Sequence, residues 1–341
     1  MSLQYIFGGS GAGKSTYLYN SIIKESIKNP LENYIIVVPE QYTMATQKRV
    51  VELHPRKGVL NIDVVSFERL AYKVFEEVGA ADYPVLDDTG KNLIVRRVLE
   101  QNKKALRFFG SNISNTGFVS ELKSVISEML QYDISVDKLL DINKNVDNNS
   151  LLGMKLDDIS LIYGGFREFI KNHYITSEEI LDLMCRKVTE SSKIRGSVIA
   201  FDGFTGFTPV QYRLMAILLD MCKEVKVALT IDISEHVNIN EGIESLFYMT
   251  KDTVVHLNRI CDEGHINVDK VTVGEDTVLT RFAASKELAF LEKNIFRPGL
   301  RYYSGKVNDI VMYAGITPKD EIQYVSCLLY TSPSPRDKRQ S

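Results

Sequence analysis

The chain has 341 residues, 44% hydrophobic and 25% charged, an ordinary globular mixture that excludes disordered, collagen-like and coiled-coil classes. Its 41 Lys plus Arg against 44 Asp plus Glu leave a formal net charge of -3, so no global positive field draws it to nucleic acid or an anionic membrane. At about 100–200 residues per domain the length predicts two or three domains, and no apolar run approaches the ~18 residues that span a bilayer.

Leu3–Phe7 reads as a short strand. The Gly-rich segment behind it opens a helix with Tyr17, Leu18, Ile22 and Ile23 on one side, stopped by Pro30. Tyr34–Val38 is a continuous apolar run of strand length, the pattern of a strand covered on both faces. A further strand is predicted over Leu60–Phe67. From about Asp87 to Glu190 the pattern turns helical: Leu93, Val95, Val98, Leu99; Val119, Leu122, Val125, Ile126, Met129; Ile159, Ile162, Phe166, Phe169. Joints at 111–117 and 143–153 separate these pieces. Ser197–Phe201 and Val225–Ile231 supply a fourth and fifth strand, with a helix over Pro209–Cys222 between them.

Strands alternating with helices predict an α/β fold built on a parallel sheet. The expected organisation is a first part of the sheet lobe at 1–85, an all-helical insertion at 86–192, the rest of the lobe at 193–275, a further segment at 276–326, and a tail at 327–341. Cys185, Cys222, Cys261 and Cys327 form no C-x-x-C pair and are expected to be single buried thiols. The five histidines are scattered without a metal or triad pattern.

The strongest motif is Gly8-Gly9-Ser10-Gly11-Ala12-Gly13-Lys14-Ser15, followed by Thr16, which fits Gly-x4-Gly-Lys-Ser/Thr at every fixed position. Glycines let such a loop curl its backbone N–H groups around a phosphate, and the next helix aims its partial positive charge at the same point. Lys14 would reach the β- and γ-phosphates of ATP, and the Ser15 hydroxyl would ligate Mg²⁺. The usual partner is an Asp at the end of a neighbouring apolar strand, followed by a Glu that orients the attacking water. Val198-Ile199-Ala200-Phe201-Asp202 supplies the strand and the Asp, but residue 203 is Gly. Asp202 is therefore the second expected Mg²⁺ ligand, no catalytic residue is assigned, and slow or absent hydrolysis is expected.

These residues resemble AddB, the B subunit of the bacterial AddAB-type ATP-dependent helicase/deoxyribonuclease, also called RexB. The resemblance runs over about 1–326 and rests on the phosphate loop, Val37–Thr43, Val65–Tyr72, Asp87–Lys91, the segment Phe201–Gln211, and Ala314–Val325 with Glu321. It implies a P-loop, RecA-like parallel sheet, a lobe of the UvrD/Rep helicase type, carrying a large all-helical insertion, with 276–326 as the truncated start of a second helicase-like lobe. In active motors of that type the residues matching Asp202-Gly203 are Asp-Glu. Ile231-Asp232-Ile233-Ser234-Glu235 likewise lacks the Gly-Asp and Gln that link γ-phosphate to DNA there, and no Gln motif precedes Lys14 to read adenine.

The resemblance further implies a cytoplasmic heterodimer with an AddA-like helicase/nuclease subunit that resects double-strand breaks for recombination. Its DNA would be a duplex end and a single-stranded 3′ strand, in which the B subunit helps recognise a recombination hotspot. A nuclease domain and a 4Fe-4S cluster are implied only outside this segment. Cys327 to Asp337 resembles one reading frame of a sequencing-library adapter, so the natural frame is expected to depart after Ser326. Lys48 and Arg49 are the DNA-contact candidates among the basic pairs, with Tyr42, Phe67, Tyr72 and Phe75 interspersed and Phe67 expected in the core. Two alternatives stand beside this reading, an active DNA-dependent ATPase and a free-standing P-loop kinase.

Overall fold

A computed structural model describes the chain except for residues 80–83, 112–114, 148, 172, 233–234, 238–241, 275–280, 283, 296–298, 300 and 332–341. Parts of the joints at 111–117 and 143–153, and Ile233 and Ser234, thus lie outside the described residues. The chain divides into units at 1–275 and 276–341.

In the first unit, β1 (Ser2–Gly8) leads into α1 (Lys14–Lys28), β2 (Tyr34–Val37), α2 (Thr43–Leu53), β3 (Ile62–Val65) and α3 (Phe67–Val78). A short β4 (Val85–Leu86) precedes the helices α4 (Asp88–Asn102), α5 (Thr116–Gln131), α6 (Val136–Asn143) and α7 (Leu151–Ile170). The chain returns through β5 (Ile175–Thr176), α8 (Ile180–Lys187), β6 (Val198–Phe201), α9 (Pro209–Met221), β7 (Glu224–Thr230), α10 (Tyr248–Gly264) and β8 (Asn267–Thr272). The main sheet has six strands in the order β3-β2-β6-β7-β1-β8, every pairing parallel.

The apolar runs read from the sequence become strands buried on both faces, and strand alternation divides them between two cores. Leu3, Tyr5, Phe7, Ile35, Val37, Ile199 and Phe201 pack with Leu70 and Val74 of α3, Ile180 and Met184 of α8, Leu214 and Leu218 of α9, and Val254 of α10. Ile6, Tyr34, Ile36, Val198 and Ala200 pack on the other face with Leu18 and Ile22 of α1 and Val50 of α2. Each fully buried Val, Leu, Ile, Phe or Met among them stabilises the fold by about 1.5–3 kcal/mol. A third core runs from Leu86 to Ile170 and is built by α4, α5, α6 and α7 around Val95, Leu99, Ile126, Ile162 and Phe166. The parallel pair β4–β5 joins the two ends of that helical segment.

Several local expectations need correcting. The buried side of α1 carries Leu18, Tyr19, Ile22, Ile23 and Ser26, while Tyr17 is 40% exposed. Residues i, i+1, i+4, i+5 and i+8 form one helical stripe, and Tyr17 falls off its edge. Leu60 lies wholly exposed outside the strand, and Leu93 and Val125 face solvent. The sixth strand, β8, escaped the sequence reading because Asn-Val-Asp-Lys-Val-Thr pairs on one side only and is largely exposed. Phe67 is buried, as expected. Cys185, Cys222 and Cys261 are buried thiols and Cys327 is exposed; burial pushes the first three up to about 11, so they stay protonated.

In the second unit, α11 (Lys286–Asn294) and α12 (Pro318–Thr331) are the helices. Glu287 of α11 accepts from the N–H of Asn308 at 2.7 Å and from that of Asp309. Tyr313 stacks on Tyr324 at 3.9 Å. Helix α12 runs across Ser326 to Thr331. Among the described residues, no helix is long and apolar enough to cross a membrane.

Candidate functional site

Ligands of open parallel sheets bind beyond the carboxyl ends of the strands, where neighbouring connections depart in opposite directions. Here β2 leads away to β3 and its neighbour β6 leads back to β7. The crevice between them, about 260 Å³, is lined by Ser15, Tyr19, Val38, Tyr42, Ala45, Thr46, Arg49, Asp202 and Gly203. Two sequence-predicted residues far apart in the chain, Ser15 and Asp202, thus line one crevice.

The phosphate-loop segment is shaped by its glycines. Gly11 and Gly13 adopt φ 78° and 90°, left-handed values that other residues reach only at a cost. At Gly8 a Cβ would stand 2.7 Å from the Val273 carbonyl oxygen, so only glycine lets the end of β1 pass the chain leaving β8. Lys14 Nζ donates to the carbonyl oxygens of Gly8 at 3.0 Å and Gly9 at 2.8 Å, and Ala12 N–H donates to Gly9 O at 3.2 Å. No side chain caps the N-terminus of α1, and its first turn holds no acidic residue. The positive end of such a helix start suits an anion. Ser10 and Thr16 are exposed, whereas Gly9, Gly11, Lys14 and Ser15 are half-buried and Gly8 and Ala12 buried.

Asp202 extends β6 toward β2 through its N–H to Val37 O at 3.0 Å and is only 6% exposed. Its Oδ2 accepts a 2.6 Å hydrogen bond from the Tyr19 hydroxyl. Thr46 Oγ1 of α2 lies 3.5 Å from the same hydroxyl. Burial and then the adjacent Asp202 charge raise the Tyr19 phenol well above its ordinary range, so it stays protonated and acts as donor. Tyr19 was missed in the sequence, although Ser15 and Tyr19 are spaced i, i+4 and so share one face of α1.

Gly203 takes φ +79°, and a Cβ there would touch Pro39 Cδ at 3.5 Å and Tyr42 Cδ2 at 3.6 Å. Behind this turn Phe204 and Phe207 pack on Phe67 with ring centroids 5.3 and 6.4 Å away. Thr208 and Gln211 close a capping box on α9, with Pro209 in its first turn. The segment Phe201–Gln211 therefore reads physically as strand, carboxylate, left-handed turn, two aromatic anchors and helix start. The anchoring on Phe67 was not legible in the sequence.

Of the DNA-contact candidates, Arg49 lines the crevice beside Asp202 and Lys48 does not. Both are exposed and reach Glu52 at 3.8 Å. Arg69 is held by Glu40 at 3.0 Å, Arg107 by Asp157 at 3.1 Å, and Arg97 lies over the Phe169 ring at 5.0 Å. The basic pairs thus belong to a mixed surface. After β7, Ile231 N–H donates to Gly8 O at 3.1 Å, and Glu235 pairs with the fully buried Lys251 at 2.7 Å. A cavity of about 570 Å³ lies away from the phosphate-loop segment among Arg167, Lys171, Tyr174 and Arg186, and its arginines pair with Glu179 and Asp182.

Among the described residues no cluster of three or more His, Cys, Asp or Glu is placed to hold a metal. The Ser15 hydroxyl and Asp202 carboxylate nevertheless fit Mg²⁺, a hard cation held by one or two protein oxygens together with substrate phosphates rather than by an all-protein cage.

A family model described as "ADDB, N-terminal" matches residues 5–292. The chain is 42% identical over 327 residues to the B subunit of the ATP-dependent helicase/deoxyribonuclease of Lachnoclostridium phytofermentans, covering 95% of this chain and 28% of that protein. It is 31% identical over 326 residues to the B subunit of the same-named enzyme in Clostridium novyi and 33% identical over 333 residues to that of Caldanaerobacter subterraneus. In each of these two cases 96% of this chain and 28% of the relative are covered, so the chain spans little more than a quarter of the length of these relatives. The phosphate loop, the Asp202-Gly203 turn and its aromatic anchors all lie inside the matched span, and the chain belongs to the ADDB N-terminal family.

Proposed function

We propose that this chain is the nucleotide-binding N-terminal part of the B subunit of a heterodimeric ATP-dependent helicase/deoxyribonuclease, and that it holds Mg-ATP without acting as a motor. The lobe is read as RecA-like. Gly11 and Gly13 shape the loop that wraps the phosphates, Lys14 exchanges the carbonyls of Gly8 and Gly9 for phosphate oxygens, and the uncapped start of α1 adds its partial charge. Bound Mg²⁺ would neutralise charge on the phosphates, with Ser15 and Asp202 as its protein oxygens.

The observation that carries the non-motor reading is Gly203. Where a motor needs a carboxylate to orient water, this backbone makes a left-handed turn against Pro39 and Tyr42, and glycine offers no group for the task. Translocation is assigned to the AddA-like partner, in a cytoplasmic complex that resects double-strand breaks. The role assigned to this polypeptide is to bind the 3′ strand and duplex end and to aid hotspot recognition, with Lys48 and Arg49 as contact candidates.

The purified chain is expected to bind Mg-ATP, and Lys14→Ala to abolish the binding while leaving the melting temperature nearly unchanged. Turnover should stay near background with or without single-stranded DNA. DNA-stimulated turnover on the order of 1 s⁻¹ or more, the range of working enzymes, would overturn the non-motor reading in favour of the active ATPase.

A further inference from the structure

The geometry points to Tyr19 as a positioning residue for Mg²⁺: its phenol fixes the carboxylate of Asp202 in the orientation that a nucleotide-bound metal requires. This rests on the Mg-ATP reading of the same site and adds a role to a residue outside the phosphate-loop motif.

Three observations carry it. The Tyr19 hydroxyl donates to Asp202 Oδ2 at 2.6 Å, with both residues at most 6% exposed, so the bond is shielded from competing water. Tyr19 lies one helical turn after Ser15 on the same face of α1, and all three line one crevice. The contact is also made between residues 183 positions apart, so it couples the helix behind the phosphate loop to the end of β6. Hydrogen bonds from outside the coordination sphere orient a metal's carboxylate ligands, and their loss typically costs about 10–100-fold in metal affinity.

Mg²⁺ is titrated against a fixed concentration of the fluorescent nucleotide mant-ATP, for the wild type and Tyr19→Phe, with a parallel nucleotide titration in EDTA. The proposal expects Tyr19→Phe to raise the half-saturating Mg²⁺ concentration about 10–100-fold while leaving the affinity in EDTA unchanged. An unchanged Mg²⁺ half-point overturns it, and so does an equal loss with and without metal, which a purely structural role would give.

Should Tyr19→Phe fail to fold, Asp202→Asn, which keeps the buried phenol, is expected to raise the Mg²⁺ half-point at least as far while sparing the affinity in EDTA, and an unchanged half-point overturns the proposal. Where both fold, Asp202→Asn is compared with the double variant Asp202→Asn/Tyr19→Phe. Tyr19 acts only through Asp202, so these two are expected to share one Mg²⁺ half-point; a further shift in the double variant overturns the proposal. Absence of nucleotide binding by the wild-type protein overturns the Mg-ATP reading and this role together.

Discussion

Gly203 offers a quantitative test of why the turn after Asp202 is glycine. Replacing it with Ala places a Cβ 3.5 Å from Pro39 Cδ and 3.6 Å from Tyr42 Cδ2, ordinary contacts that add no clash. The cost is then that of the backbone, held at φ +79°, where an L-residue loses about 1–2 kcal/mol. Reduced freedom of the unfolded chain returns about 0.4–1 kcal/mol, leaving a net loss of about 1 kcal/mol. For a unit of this size that lowers the melting temperature by about 2–4 °C.

Two comparisons isolate the cause. Gly196, at φ +72° with no atom within 4 Å of its Cβ position, should show a similar loss on substitution by Ala. Gly58, outside the left-handed region with its nearest atom at 3.9 Å, should show none. Thermal and urea unfolding of the three variants make the measurement. A Gly203→Ala protein as stable as Gly58→Ala would refute the backbone argument. Gly203→Glu carries the same strain and is expected to bring no ATP turnover.

Two hydrogen-bonded carboxylates away from the phosphate loop give further predictions. Glu77, at the end of α3, accepts from Ser191 Oγ at 2.6 Å, from Ser192 N and Oγ at 2.8 and 2.6 Å, and from Lys193 N at 3.2 Å. Against the burial that works to raise it, these bonds hold the carboxyl down at about 2, below its usual 4.5. A depressed folded value stabilises above the unfolded one, so the stability advantage over Glu77→Gln is expected in full above about pH 4.5 and to vanish as pH falls toward 2. An advantage independent of pH in acid unfolding curves would contradict this. Asp158, 1% exposed, accepts from the N–H groups of Arg107, Phe108 and Phe109 at 2.9, 2.8 and 2.8 Å. At about 1–3 kcal/mol for each stranded donor, Asp158→Ala should cost at least about 3 kcal/mol; hydrogen exchange over 105–110 that matches the wild type would contradict it.

The parts legible in the sequence were those written in local patterns. The strand, glycine-rich turn and helix over 2–28 were legible because the glycines stand at fixed spacing between two apolar patterns, β2 and β6 because double burial makes their runs continuously apolar, and β7 because Val225, Val227, Leu229 and Ile231 alternate. Helical periodicity marked the segment around Val95, Ile126 and Phe166. What stayed hidden depends on partners far along the chain. Tyr19 reads as one more aromatic of an amphipathic helix until Asp202 is placed beside it. Arg49 reads as half of a basic pair until α2 sets it in the crevice with Ser15. Gly203 showed what it lacked, a carboxylate, but its left-handed backbone needed the turn against Pro39. β8, paired on one side only, has no apolar pattern to reveal it.

The central claim, occupancy of the phosphate loop without turnover, can be tested in a single calorimetric titration of Mg-ATP into the protein with single-stranded DNA present. Saturable binding heats that return to a flat baseline, and their disappearance in Lys14→Ala, are the expected result. A sustained heat signal after each injection would reveal continuous hydrolysis, and binding undiminished in Lys14→Ala would place the nucleotide elsewhere; either would contradict the account.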